Sequence, residues 1–276
     1  MFLCERFRKE AGRVWNEMSA AQRLGLSLSE ETITETCLFN LARKTQTGQI
    51  AIIPATRPQE AKHGADWEWW FTNSGWGVGY RVQAKRLFPS GRYESLFKPG
   101  EQFAQLDKLV SKAGDDGIDP LYCFYNFQVL GSPYFAAYNI CPHDYRGVSY
   151  WGCSLALPEV VKSAHKDSFS SLQPFQVPWH NLVCSKDNKD VPNAVIANIQ
   201  EMTRRGAYRS PGREEVDRIR EPRRVPAYVN RLAMLGWLRR EQPSTERAYI
   251  DREYWELEAE SLGEDIAGVL VIDERG

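Results

Sequence analysis

The amino-acid sequence predicts an α/β fold with a central mixed sheet flanked by helices. Three observations carry that prediction. Residues 66–87, "DWEWWFTNSGWGVGYRVQAKRL", put aromatic and polar residues on alternate positions either side of the turn-forming run "NSGWG", as a β-hairpin does. Residues 120–130, "PLYCFYNFQVL", form an apolar, β-prone run of the kind buried on both faces of a sheet. Segments with apolar residues at helical spacing lie before and after the hairpin.

The elements follow in order. Residues 1–24 read as an amphipathic helix, with Phe2, Phe7, Val14, Trp15 and Leu24 as apolar points among charges. A second helix begins after Ser29, a side chain suited to cap it, and Glu30 and Glu31 suit the positive end of its dipole. Its buried stripe is Ile33, Cys37, Leu38 and Leu41. "QIAIIPA", residues 49–55, is an extended segment stopped by proline. After the hairpin, residues 100–117 predict a helix with Phe103, Leu106, Leu109, Val110 and Ala113 inward and Gly114 just past its end. The strand at 120–130 completes the order helix, strand, strand, strand, helix, strand. Beyond it, 131–150 reads as loop, and 154–166, 193–205 and 226–240 read as helices. "DIAGVLVID", residues 265–273, reads as a late strand returning to the sheet. Without a repeat or a flexible linker, residues 1–276 are expected to form a single domain. Its core spans about 25–130, and a mostly helical elaboration covers 131–276.

The net charge of −1 advertises no global affinity for nucleic acid, but local balance differs. Arg204, Arg205, Arg209, Arg223 and Arg224 lie in an arginine-dense segment and are candidates for a phosphate-binding edge; the competing reading is a solvated surface. No run of about 18 apolar residues predicts a membrane span. Charges from Glu5 onward come too early for a signal peptide, so a cytoplasmic location is expected. The six cysteines then read as free thiols.

Chemistry concentrates on the hairpin. Alternation puts Asp66, Glu68 and Trp70 on one face of the first strand and Trp67, Trp69 and Phe71 on the other. Gln83 and Lys85 share a face of the second strand, so pairing can bring them beside the acids. Glu31 and Glu35, one turn apart on the preceding helix, can add a carboxylate. Such an oxygen-rich set (Asp66, Glu31, Glu68, Gln83) suits Mg²⁺ or Mn²⁺, with Lys85 as a catalytic cation. The alternative is a structural ion pair of Lys85 with Asp66 or Glu68. A second constellation, Cys141, His143, Cys153, His180 and Cys184, has ligand types that suit zinc, although its irregular spacing equally suits plain packing. Tyr122, Phe124, Tyr125 and Phe127 read as core, and Asn126 as a hydrogen-bonding group near the site.

Asp66, then "QAK" on the next strand, then a helix and an apolar strand, resembles the PD-(D/E)xK, or restriction-endonuclease-like, nuclease superfamily in its Q-x-K form. More narrowly, "EETIT", "GADWEWW", "QAKRL", "PLYCFYN", "WGCSLA" and "PWHNLVC" together resemble a bacterial family of unknown function. The superfamily resemblance covers about residues 31–130. It implies a restriction-endonuclease-like core and metal-dependent endonuclease activity on DNA, with Asp66, Gln83, Lys85 and Glu31 as catalytic residues. It also suggests a role in anti-phage defence, and leaves open a homodimer and a partner protein encoded alongside. The chain departs from the pattern at Ala65, where the motif has proline, and at Glu68, an extra acid. The other reading is a catalytically silent nucleic-acid-binding or protein-interaction module of the same fold.

Overall fold

The computed structural model describes residues 3–43, 50–54, 65–94, 96–97, 103–127, 141–143, 147–185, 190–209, 221–230 and 268–273. Helices α1 (Leu3–Arg23) and α2 (Glu30–Arg43) lead into strand β1 (Ile50–Pro54). The hairpin β2 (Trp67–Asn73) and β3 (Trp76–Arg86) follows, then α3 (Ala104–Asp115) and β4 (Asp119–Tyr125). The chain continues through β5 (Cys153–Ala156), α4 (Pro158–Ala164), α5 (Phe169–Leu172), β6 (Val177–Pro178), α6 (Val191–Arg209), β7 (Arg223–Arg224) and β8 (Gly268–Asp273). Short 3-10 turns at Val148–Gly152 and Trp179–Asn181 flank β5 and β6.

The strands form one mixed sheet in the order β1-β8-β2-β3-β4-β5-β6, with β7 beside the start of β3. β3 runs antiparallel to β2 and parallel to β4. β8 runs antiparallel to β1 and parallel to β2. The expected late strand therefore sits inside the sheet rather than over it.

Local chemistry explains the elements. The Ser29 hydroxyl accepts a hydrogen bond from the Thr32 amide at 3.1 Å and caps α2. Ser74 and Gly75 both have positive φ, 51° and 84°, the signature of a two-residue type I′ turn whose twist matches the strands it joins. That turn fixes the β2–β3 register, pairing Trp67 with Val82, Glu68 with Arg81 and Trp69 with Tyr80. Trp67, Trp69 and Phe71 then share a face with Val78, Tyr80 and Val82, all buried. On this face α1 lays Phe7 against Trp69 and Trp179, with ring centroids 6.0 and 5.0 Å apart. The Trp179 indole donates to the Phe7 carbonyl at 2.6 Å. Such edge-to-face contacts add to what area burial alone provides.

Several expectations are corrected. Val110 is exposed, and the α3 stripe is Leu106, Leu109 and Ala113. Gly114 lies within α3, while the positive-φ glycine beyond its end is Gly117, at 66°. Where described, residues 131–276 carry more helix than strand, but they also supply β5, β6, β7 and β8 to the sheet. "CSLA" is strand, and helix begins only at Pro158, whose fixed φ suits a first turn. Most of the helix expected at 226–240 lies outside the described residues. Among the described residues no helix is long and apolar enough to cross a membrane.

One close approach sets the distance between α1 and the sheet. A Cβ at Gly152 would stand 2.0 Å from the Ala11 carbonyl oxygen and 2.8 Å from the Trp15 amide nitrogen. Backbone cannot yield as a side-chain end can. Gly152→Ala is expected to destabilise the protein by about 3 kcal/mol, the upper end of overpacking penalties. Chemical denaturation checks this; an unchanged midpoint would mean that α1 can move away freely.

Candidate active site

The hairpin register brings the predicted residues to one end of the polar face. The Asp66 amide donates to the Val82 carbonyl at 2.8 Å, and an Asp66 carboxylate oxygen accepts from the Ala84 amide. These two bonds bracket Gln83, so Asp66 stands opposite it. Lys85 projects from the same face two residues on, and parallel pairing with β4 places Tyr122 beside Gln83 and Phe124 beside Lys85. Gln83 and Lys85 are buried, at 1% and 3% relative exposure, and Asp66 is half-buried.

The helix carboxylate is Glu30, one residue before the expected Glu31. Glu30 Oε1 lies 3.4 Å from Lys85 Nζ, and its Oε2 accepts from the Arg86 amide at 2.9 Å. Glu31 and Glu35 are exposed. Helical periodicity in the sequence could not separate neighbours in a first turn, whereas the placement of that turn over the end of β3 does.

Glu68 is corrected from metal ligand to structural acid. It is buried, ion-paired to Arg81 at 2.5 Å, and accepts from the Trp70 indole at 3.1 Å and the Tyr228 hydroxyl at 3.0 Å. Arg81 also reaches the Asp116 carboxylate at 2.5 Å. Burial alone would lower the Arg81 pKa, but the Glu68 and Asp116 carboxylates more than offset it and hold the guanidinium above its ordinary value. Burial, then the Glu68 charge, raises the Tyr228 hydroxyl and keeps it a donor. Three donors around one carboxylate satisfy it without a metal ion.

The field around Gln83 is different. Tyr122 is raised above its ordinary pKa by burial first, then by the carboxylates of Asp66, Asp107 and Glu30. Among the described residues, Gln83 Oε1 is a buried acceptor with no hydrogen-bond donor. An orphaned amide oxygen beside a carboxylate, in a negative field, fits a hard divalent cation, which takes oxygen ligands.

Arg204, Arg223 and Arg224 do not gather here. Arg204 is exposed and forks onto Glu201, with both contacts at 2.8 Å. Arg223 and Arg224 pair with the start of β3, roughly 26–30 Å along the strand from Lys85 at about 3.3 Å per residue. Arg223 stacks 5.7 Å from the Trp70 ring and donates to the Asp116 carbonyl at 3.1 Å. Arg205 and Arg209 lie on α6, and their side chains lie outside the described residues.

Asn126 belongs to a separate network rather than to the site. It accepts from the Tyr93 hydroxyl at 2.6 Å and donates to the Trp151 carbonyl and the Ser154 hydroxyl, while Gln176 closes the ring through Ser154 and Tyr93. The sulfur–imidazole constellation is also revised. Cys141, His143 and Cys184 do meet, joined by Cys4 of α1, which the sequence reading missed. Cys153 is buried in β5, its thiol pushed well up by burial. His180 is buried against Tyr150, and burial lowers it to about 4, so the ring is neutral.

With this geometry in place, the chain's kinship is a family matter. It belongs to the family of unknown function DUF6615, whose model matches residues 3–276. Among curated proteins, none matches the chain.

The two kinds of buried charge should behave oppositely. Arg81→Ala strands Glu68 and is expected to cost about 3–5 kcal/mol, whereas Glu68→Gln with Arg81→Met should recover most of that loss. Asp66→Asn keeps an oxygen for the Ala84 amide and should change stability by less than about 1 kcal/mol. Denaturant midpoints of the three variants check the contrast.

Proposed function

We propose that the chain is a metal-dependent nuclease that hydrolyses phosphodiester bonds, with DNA as the substrate class. The orphaned Gln83 Oε1, standing between Asp66 and Lys85 on one sheet face, is the observation that carries this reading. Further support is the order of elements from α2 to β4, which resembles the restriction-endonuclease-like core, with "QAK" on β3 where that superfamily carries its lysine motif.

Asp66 and Gln83 would hold Mg²⁺ or Mn²⁺. When bound, the cation lowers the pKa of a coordinated water and neutralises phosphate charge. Gln83 in place of an acid leaves one charge fewer than two carboxylates would, so the substrate phosphate contributes to cation binding. Lys85 supplies a fixed ammonium for the charge that builds on phosphate as water adds to phosphorus and the bridging P–O bond breaks. Glu30, held by the Arg86 amide, orients that ammonium. Because Lys85 is buried beside Phe124, its position is set before substrate arrives, and little reorganisation is needed as charge develops.

Incubation with supercoiled plasmid and Mg²⁺ or Mn²⁺ tests the proposal. Wild type should yield nicked or linear product. Asp66→Asn and Lys85→Ala should lower the rate about a hundredfold or more per folded molecule, the scale of losing one preorganised charge, with the fold retained by circular dichroism. Glu30→Gln should lower the rate and Glu31→Gln should not. DNA binding without cleavage by wild type would replace the catalytic reading with that of a silent binding module. Wild-type rates in both Asp66→Asn and Lys85→Ala would place any activity elsewhere.

A further inference from the structure

We propose that Cys4, Cys141, His143 and Cys184 form a structural zinc site, distinct from the oxygen-lined site on the hairpin. The four ligand atoms all lie within 4.8 Å of one another. His143 Nδ1 is 3.0 Å from Cys141 Sγ and 3.6 Å from both Cys4 Sγ and Cys184 Sγ. Tetrahedral Zn²⁺, with Zn–S about 2.3 Å and Zn–N about 2.0 Å, sets its ligand atoms roughly 3.5–3.8 Å apart, so the two 3.6 Å spacings match a coordination shell and Cys141 stands somewhat inside it. Cys3His is a closed set with no position left for water, the pattern of a structural rather than a catalytic site.

Packing alone does not account for the cluster. Three thiols and an imidazole offer one another only weak hydrogen bonds, yet they converge from segments far apart in the chain: the first turn of α1, residues 141–143, and the turn after β6. Two of the arriving backbones are independently pinned. The buried Asn181 accepts from the Cys141 amide at 2.7 Å. The buried Asn198 of α6 donates to the Leu182 and Cys184 carbonyls, both at 2.9 Å. These amides hold the backbones of Cys141 and Cys184, the supporting role that outer-shell groups play around metal centres. A disulfide is the competing chemistry, since Cys141 Sγ and Cys184 Sγ are 2.8 Å apart. It would leave Cys4 and His143 crowded against it without function, whereas one cation uses all four.

Soft thiolate and imidazole ligands select zinc over magnesium, so the two sites do not compete for one ion. The zinc would tie α1, which carries the Phe7 contact to Trp69, to the segments that flank β5 and β6.

Metal analysis of the full chain purified from zinc-supplemented cells, without chelator, tests the site. The expected result is one zinc per chain. Exchange for Co²⁺ should give tetrahedral d–d bands with thiolate-to-cobalt charge transfer. Cys184→Ala and Cys4→Ala should lose the metal, His143→Cys should keep it, and Cys153→Ala and Asp66→Asn should retain full occupancy. If the alanine variants do not fold, the wild-type stoichiometry and the cobalt spectrum decide alone. A metal-free wild type, a Cys141–Cys184 disulfide seen by mass spectrometry without reduction, or undiminished zinc in the folded Cys4→Ala variant would each overturn the proposal.

Discussion

The register of one hairpin governs this protein. Side chains alternate along a strand, so a slip of a single residue between β2 and β3 would exchange the two faces entirely. The Ser74 and Gly75 turn prevents that slip, and with it Trp67, Trp69 and Phe71 share the face on which Phe7 of α1 packs while Asp66, Glu68, Gln83 and Lys85 stay together on the other side. The apolar face gives the register its energy. Each of these indoles buries on the order of 200 Å². A slip would send the tryptophans to the polar face and the carboxylates into the aromatic core, where an unpaired charge costs several kcal/mol. Core and site are thus two consequences of one pairing, and the aromatic face is what holds the polar face in place.

Within that polar face, two acids two residues apart have opposite duties. Glu68 is engaged by Arg81, Trp70 and Tyr228, three donors on one carboxylate. Asp66 sits where the strand pair ends, half-buried, beside an amide oxygen that lacks a donor among the described residues. Buried polar networks are worth keeping when complete and costly when incomplete. A buried acceptor without a donor, next to a buried lysine, is where a cationic ligand would gain most.

The sequence made some of this legible and hid the rest for physical reasons. Period-two alternation with a turn between identified the hairpin, both its faces and the positions of Asp66, Gln83 and Lys85, because strand geometry leaves no freedom in which residues share a side. Glu30 was missed in favour of Glu31 because adjacent helical residues differ by only about 100° in azimuth, and their reach depends on how the helix sits over β3. Glu68 was assigned to a metal because its partner Arg81 reads, in sequence, as just another polar strand residue. In sequence β5 reads as the start of a helix because four residues carry little period, and its strand character comes from pairing with β4. Cys4 was invisible as a ligand, since nothing local relates it to Cys141 or Cys184.

That last failure shows how the fold is closed. The hairpin and its flanking helices are local structures, but β8 enters between β1 and β2 from residues 268–273, and α1 is pinned by Gly152 and Trp179 from far along the chain. Contacts of such sequence separation carry a large loop-closure cost, which the chain must meet before their burial can stabilise anything. A metal ligated by Cys4, Cys141, His143 and Cys184 would act on that cost directly, because it joins α1 to the region around β5 and β6 through bonds that a locally folded intermediate cannot make. Zinc there would stabilise the seating of α1 on the Trp69 face, and through the hairpin register it would support the geometry of Asp66 and Lys85 without touching either.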